Sequence, residues 1–181
     1  MHLPPPIQNI TRVTTIRILG VTFTNSLSVA EHIQVVINSC AQTLYALRIL
    51  RSHGMDDAAL QTIYRSVVIA KLTYASSAWW GFTTATDRQR LDAFLRRSQR
   101  CRFVPPSLPS FTELCSAADN ELFKQVINNN KHVLHGLLPP ISVASQNYHL
   151  RQRKHSLELP CKTNYLMNSN FIQRMLYLDS Y

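Results

Sequence analysis

The 181-residue chain carries 19 Lys and Arg against 10 Asp and Glu, a formal net charge of +9, and 45% of its residues are apolar while only 16% are charged. That apolar share is enough to build a core, the basic excess points to a polyanionic partner, and a charge fraction below the ~25% usual for soluble domains implies either a covered surface or a sparse tail. The four cysteines, Cys40, Cys101, Cys115 and Cys161, lack the spacing of a zinc knuckle or a redox pair, which excludes those classes. No basic-then-apolar leader follows Met1, and the most apolar stretch, Val67 to Phe82, is interrupted by Lys71 and falls short of the ~20 residues of a membrane span. An intracellular protein with reduced thiols, in nucleus or cytoplasm and without a membrane partner, is the expectation.

After Pro4-Pro5-Pro6, the β-branched run from Arg17 to Phe23 predicts a short strand. Ser28 and Glu31 have the spacing of a capping box, and apolar residues then recur at Ile33, Val36, Ile37, Cys40, Leu44 and Leu47. That is one helical face, ended by His53-Gly54. A second helix starts at Asp56, with Met55 stapled on Leu60. It follows Leu60, Ile63, Val67 and Tyr74 to Trp79-Trp80, where it is apolar nearly all round, and Gly81 closes it. A third opens with a capping box from Thr86 to Gln89 and runs to about Phe103, because Pro105-Pro106 forbids continuation. A fourth, interrupted by Asn128-Asn129-Asn130, carries Leu122, Val126, Val133 and Leu137 and stops near Gly136 and Pro139-Pro140. Beyond Ile141 the chain is polar and basic, with one short terminal helix from Asn170 to Leu178. The expected architecture is mainly α: an irregular segment over 1–16, a helical domain of three to four helices with a short N-terminal strand over 17–138, and an extended basic C-terminal tail over 139–181.

Among the motifs, Met55-Asp56-Asp57 has the composition of a polymerase metal turn. Such aspartates need a hairpin with apolar strands on both sides, whereas here a helix ends before them and another begins after, so they read as a cap and a first-turn dipole partner. His132 and His135 could share a helical face, but no third ligand stands at a recognisable spacing. No phosphate loop, nucleophile elbow or second carboxylate pair is found, so neither an enzyme nor a cofactor or small-molecule ligand is expected. Trp79 and Trp80, at the end of the most apolar helix, are read as core or interdomain contacts in preference to base-stacking platforms.

The basic residues carry more. On the third helix Leu91, Phe94 and Leu95 occupy one arc and Arg90, Arg96, Arg97 and Arg100 another, so one face can pack while the other meets phosphates. Arginine suits that task through its planar fork of donors and permanent charge; the competing reading is a solvated polar face. Arg151, Arg153 and Lys154, set among Tyr148 and Leu150, form a second cluster that could be a phosphate-tracking arm or an unordered tail.

The order of several strings resembles the region after the palm in non-LTR retrotransposon reverse transcriptases of the LINE type, Jockey/CR1-like. These are ILGVTF at 18–23, YRSVVIAKLTYASSAWW at 64–80, LDAFLRRSQR at 91–100, LLPPISVASQNYHLRQRKHSLELP at 137–160 and NFIQRMLYLDSY at 170–181. The resemblance implies a strand near the primer grip followed by a thumb that cradles template and primer, and a parent activity of RNA-directed DNA polymerisation. It places the catalytic aspartates in a palm preceding Arg17. The partners it implies are an RNA or RNA–DNA duplex backbone and that palm, and it implies no polymerisation by this chain alone. The rival reading is a domesticated or vestigial helical module that binds protein and not nucleic acid.

Overall fold

A computed structural model describes residues 8–104, 107–143 and 155–178, and the architecture is mainly α, with helix accounting for 61% and strand for 6%. The expected single strand is a hairpin: β1 (Thr15–Ile18) pairs antiparallel with β2 (Val21–Thr24), Ile18 opposite Val21 and Thr15 opposite Thr24. Leu19 and Gly20 turn the chain with φ of 47° and 88°. A two-residue loop with both residues at positive φ matches the right-handed twist of paired strands, which is why Gly20 stands there.

Helix α1 (Ala30–Ser52) buries Ile33, Val36, Cys40, Leu44 and Leu47 of the expected stripe, leaves Ile37 half-buried, and adds His32, which the apolar spacing did not include. It is long and apolar enough to cross a membrane by length and composition; its buried stripe packs against the core, while Gln34, Asn38 and Arg48, together with the apolar Val35, Tyr45 and Ile49, lie exposed. Its start differs from expectation in that no side-chain cap forms; Ser28 Oγ instead accepts from Ala30 N, 3.3 Å away. Gly54, at φ 90°, ends it as expected.

Asp56 caps α2 (Asp57–Ile63), accepting from the amides of Ala58 and Ala59 at 3.1 Å each. The helix passes through a π-helical segment (Tyr64–Ile69) into α3 (Ala70–Thr73). Its buried residues are Leu60, Tyr64, Val68 and Leu72, so the predicted face at Ile63, Val67 and Tyr74 is displaced; Val67 and Tyr74 are exposed. A spacing of four drifts about 40° per step in an α-helix, about 120° from Leu60 to Leu72. The wider π turn takes up that drift and keeps all four on the core.

The second helix also stops earlier than expected. Ala75 is left-handed at φ 49°, and a short α4 (Ser76–Trp79) and a 3-10 turn (Trp80–Phe82) follow. Trp79 Nε1–H donates to the Tyr74 carbonyl oxygen at 2.9 Å, satisfying a group the break releases. The indole is thereby swung into the core, stacked on Phe111 with centroids 5.9 Å apart and edge-on to His32 at 5.1 Å.

Helix α5 (Ala85–Arg100) has its capping box two residues before the predicted one, Thr84 with Asp87 instead of Thr86 with Gln89. The Thr84 hydroxyl accepts from Asp87 N at 3.1 Å while the Asp87 carboxylate accepts from Thr84 N, and a carboxylate also complements the positive end of the helix. Helix α6 (Phe111–Asn128) begins well before Leu122, capped by Ser110 and Glu113, a box absent from the sequence-based expectation. It ends at Asn129, and Val133 and Leu137 are exposed beyond it, so they do not continue its face.

Asn170 accepts from the amides of Ile172 and Gln173 and caps the terminal helix, which with its predecessor forms α7 (Tyr165–Ser169) and α8 (Phe171–Tyr177). Residues 155–178 fold back on α6, where Ile172, Met175 and Leu176 bury Phe123 in a core separate from the main one. Asp119 of α6 joins the two: its carboxylate accepts from Trp80 Nε1 at 2.6 Å and from Arg174 Nη1 at 2.8 Å. Gly81 allows this approach, since a Cβ there would lie 2.2 Å from the Ser169 carbonyl oxygen.

Candidate nucleic-acid interface

Helix α5 turns Leu91, Phe94, Leu95 and Ser98 inward. The opposite face follows from the 3.6-residue repeat, and Arg96, Arg97 and Arg100 are exposed on it, their side chains making no hydrogen bond or ion pair to another described residue. Arg96 and Arg100 stand one turn apart, about 6 Å along the axis. Arg90 is placed differently: half-buried, it pairs with Asp87 at 3.4 Å and donates to Gln34 Oε1 on α1. It is tied into the α1–α5 junction, so three of the four predicted arginines of this helix remain open. Arg151, Arg153 and Lys154 lie outside the described residues.

α1 lies beside α5 and runs the same way, since Gln34 meets Arg90 near one end and Arg48 meets Cys101 near the other, its Nη2 donating to Sγ at 3.3 Å. Gln34, Asn38, Tyr45 and Arg48 fall on one stripe of α1 beside that junction, with Tyr45 65% exposed. Tyr45 and Arg48 were missed from sequence, although they share the α1 periodicity that located the core stripe. From Ala93 to Arg100 on α5, and from Gln34 to Ser52 on α1, no carboxylate occurs. The nearby acids are turned elsewhere: Asp87 serves the cap, and Asp92 accepts from Phe111 N at 3.1 Å on the side facing α6.

Arg51 shows what a structural arginine does in the same neighbourhood. It donates to the carbonyls of Cys101 and Arg102 at 2.6 and 3.1 Å, pairs with Asp57 at 2.9 Å and stacks on Phe103, thereby capping the C-terminal end of α5. Asp56 and Asp57 are thus a cap and an ion-pair partner.

His132 and His135 are engaged locally: the first accepts from Leu134 N at 3.1 Å, the second donates to the Val126 carbonyl at 2.8 Å. Among the described residues no group of three or more His, Cys, Asp or Glu could hold a metal ion. Cys40 and Cys115 are buried thiols pushed up to about 11 and about 12 by desolvation, inert at neutral pH. Trp79 is fully buried, and the Trp80 ring carries the guanidinium groups of Arg88 and Arg174 over it at 5.0 and 4.8 Å while its Nε1–H is held by Asp119, so both indoles are engaged within the fold. The chain matches no family model, no curated protein and no solved structure.

Proposed function

We propose that this chain is the thumb-like, post-palm portion of a non-LTR reverse transcriptase, holding template-primer nucleic acid by its backbone while the catalytic palm is contributed from outside it. The observation that carries the reading is the carboxylate-free, exposed run of Arg96, Arg97 and Arg100 on α5, flanked by Arg48 and Tyr45 of α1. Cations held together without partners repel one another, and a line of phosphates relieves that repulsion while releasing counterions. Planar guanidinium groups bind phosphate through paired hydrogen bonds, and contacts of this kind fix position on a duplex without reading its sequence. The order of the sequence strings supplies the polymerase context.

The test is binding of the full chain to an RNA–DNA duplex across a salt series. Affinity should fall steeply with salt, and the Arg96→Ala, Arg97→Ala double variant should flatten the log–log slope by about 1.8, two phosphate contacts at ~0.9 each. An unchanged slope, or no binding at low salt, overturns the reading.

A further inference from the structure

On the side of α1 away from the arginines, the β1–β2 hairpin, α1 and the π-helical segment with α3 enclose a cleft of about 610 Å³. Its apolar wall includes Val35, Val67 and Tyr74, all exposed, and Leu19 at the hairpin tip adds uncovered apolar surface. The π turn that keeps Val68 on the core is also what presents Ser66 and Val67 to this cleft. Two cations line it, Arg17 and Lys71, and none of the lining residues is acidic. Lys71 donates one proton to Ser39 Oγ at 2.8 Å, leaving two of its three donors without a partner among the described residues.

The edge of β1 adds an independent feature. In a two-residue hairpin the residues flanking the loop exchange hydrogen bonds, so Ile18 and Ile16 bond to β2 while Thr15 and Arg17 direct their N–H and C=O groups outward. These outward groups have no partner among the described residues.

We propose that this cleft docks an extended acidic and apolar segment of a partner polypeptide, paired along β1 with a carboxylate set between Arg17 and Lys71. A strand added there places the side chain opposite Arg17 on the same face of the sheet, toward the cleft, and main-chain pairing supplies affinity while the alternating side chains supply specificity. Ile16 and Ile18, exposed on the other face of β1, are placed to meet the alternate side chains of the added strand, which fits a polypeptide better than a small ligand. A second copy of this chain is the wrong partner, because at +9 it would bring cations to cations. The inference does not rest on the nucleic-acid reading.

The probe is a random twelve-residue peptide library selected against the full chain. Enriched peptides are expected to carry Asp or Glu between apolar residues at alternate positions. Their binding should weaken about tenfold in Lys71→Met and in Val67→Asp, and persist in the Arg96→Ala, Arg97→Ala variant that tests duplex binding. Lys71→Met keeps the side-chain stem and Val67 is solvent-facing, so far-UV circular dichroism should be unchanged in both. Enrichment of peptides without a carboxylate, equal binding by the two cleft variants, or no enrichment overturns the proposal.

Discussion

Around Trp79 the chain is held by apolar side chains drawn from α1, the π-helical segment, α5 and α6, whereas the corner where residues 155–178 return to α6 rests on a few apolar residues and one buried ion pair. The main core is directionless; many near-equivalent contacts share its stabilisation. The corner is directional, because Asp119 receives Trp80 and Arg174 on one oxygen and Arg174 also reaches the Ser77 carbonyl at 3.2 Å. Losing one methylene in the first is a local cost, while losing one charge in the second leaves its partner stranded.

Trp79→Ala should be the most damaging single change, costing about 3–5 kcal/mol, since it opens a cavity between Phe111 and His32 and removes the indole from Tyr74. Chemical denaturation should show the loss over the whole transition. Asp119→Ala should cost about 3 kcal/mol by leaving the Arg174 guanidinium, 16% exposed in its side chain, without a counter-charge. Burial already pulls Arg174 below its ordinary value, with Asp119 opposing that shift. Here hydrogen exchange should distinguish the regions: amides of α7 and α8 lose protection while those of α1 and α5 keep it. Uniform loss would mean that the two regions unfold as one.

How far the sequence revealed this division depends on the kind of contact. The α1 stripe from Ile33 to Leu47 was legible because a local repeat dictates it. The Asp56 cap was legible for the same reason, as was the helix beginning after Asn170. The π turn was not, since a spacing of four at Leu60, Tyr64, Val68 and Leu72 competes with an equally apolar set at Ile63 and Val67, and only tertiary packing chooses between them. The Asp119–Arg174 pair, 55 residues apart, leaves no local signal. At the candidate interface the arginine arc of α5 could be read from periodicity, but not that Arg90 is drawn aside by Gln34 from another helix.

The rival capping boxes of α5 give a smaller effect and a sharp contrast. Thr84→Ala removes the hydroxyl that accepts from Asp87 N and should cost about 1 kcal/mol in thermal or urea unfolding. Thr86→Ala, exposed in the first turn of α5, should change stability by no more than ~0.5 kcal/mol. Equal losses would restore the box suggested by sequence alone.

The smallest expected effect is one of pH, and it concerns a histidine set inside the largely apolar main core. His32 is buried against Trp79, and burial first, then the charge of Arg17, lowers its pKa from 6.5. The folded protein therefore holds the ring neutral at pH values where the unfolded chain already binds a proton. Stability contributed by the neutral ring is fully present above 6.5 and is lost as pH falls from there through the lowered folded value. Glu113, whose carboxylate is held below its ordinary 4.5 by the hydroxyl and amide of Ser110, acts in a more acidic window and does not overlap. Urea midpoints at pH 7.5 and pH 5.5 should therefore separate in the native protein, and separate less in His32→Gln. If the two proteins lose stability in parallel over that interval, His32 is not the group responsible, and the main core is as indifferent to pH as its apolar composition suggests.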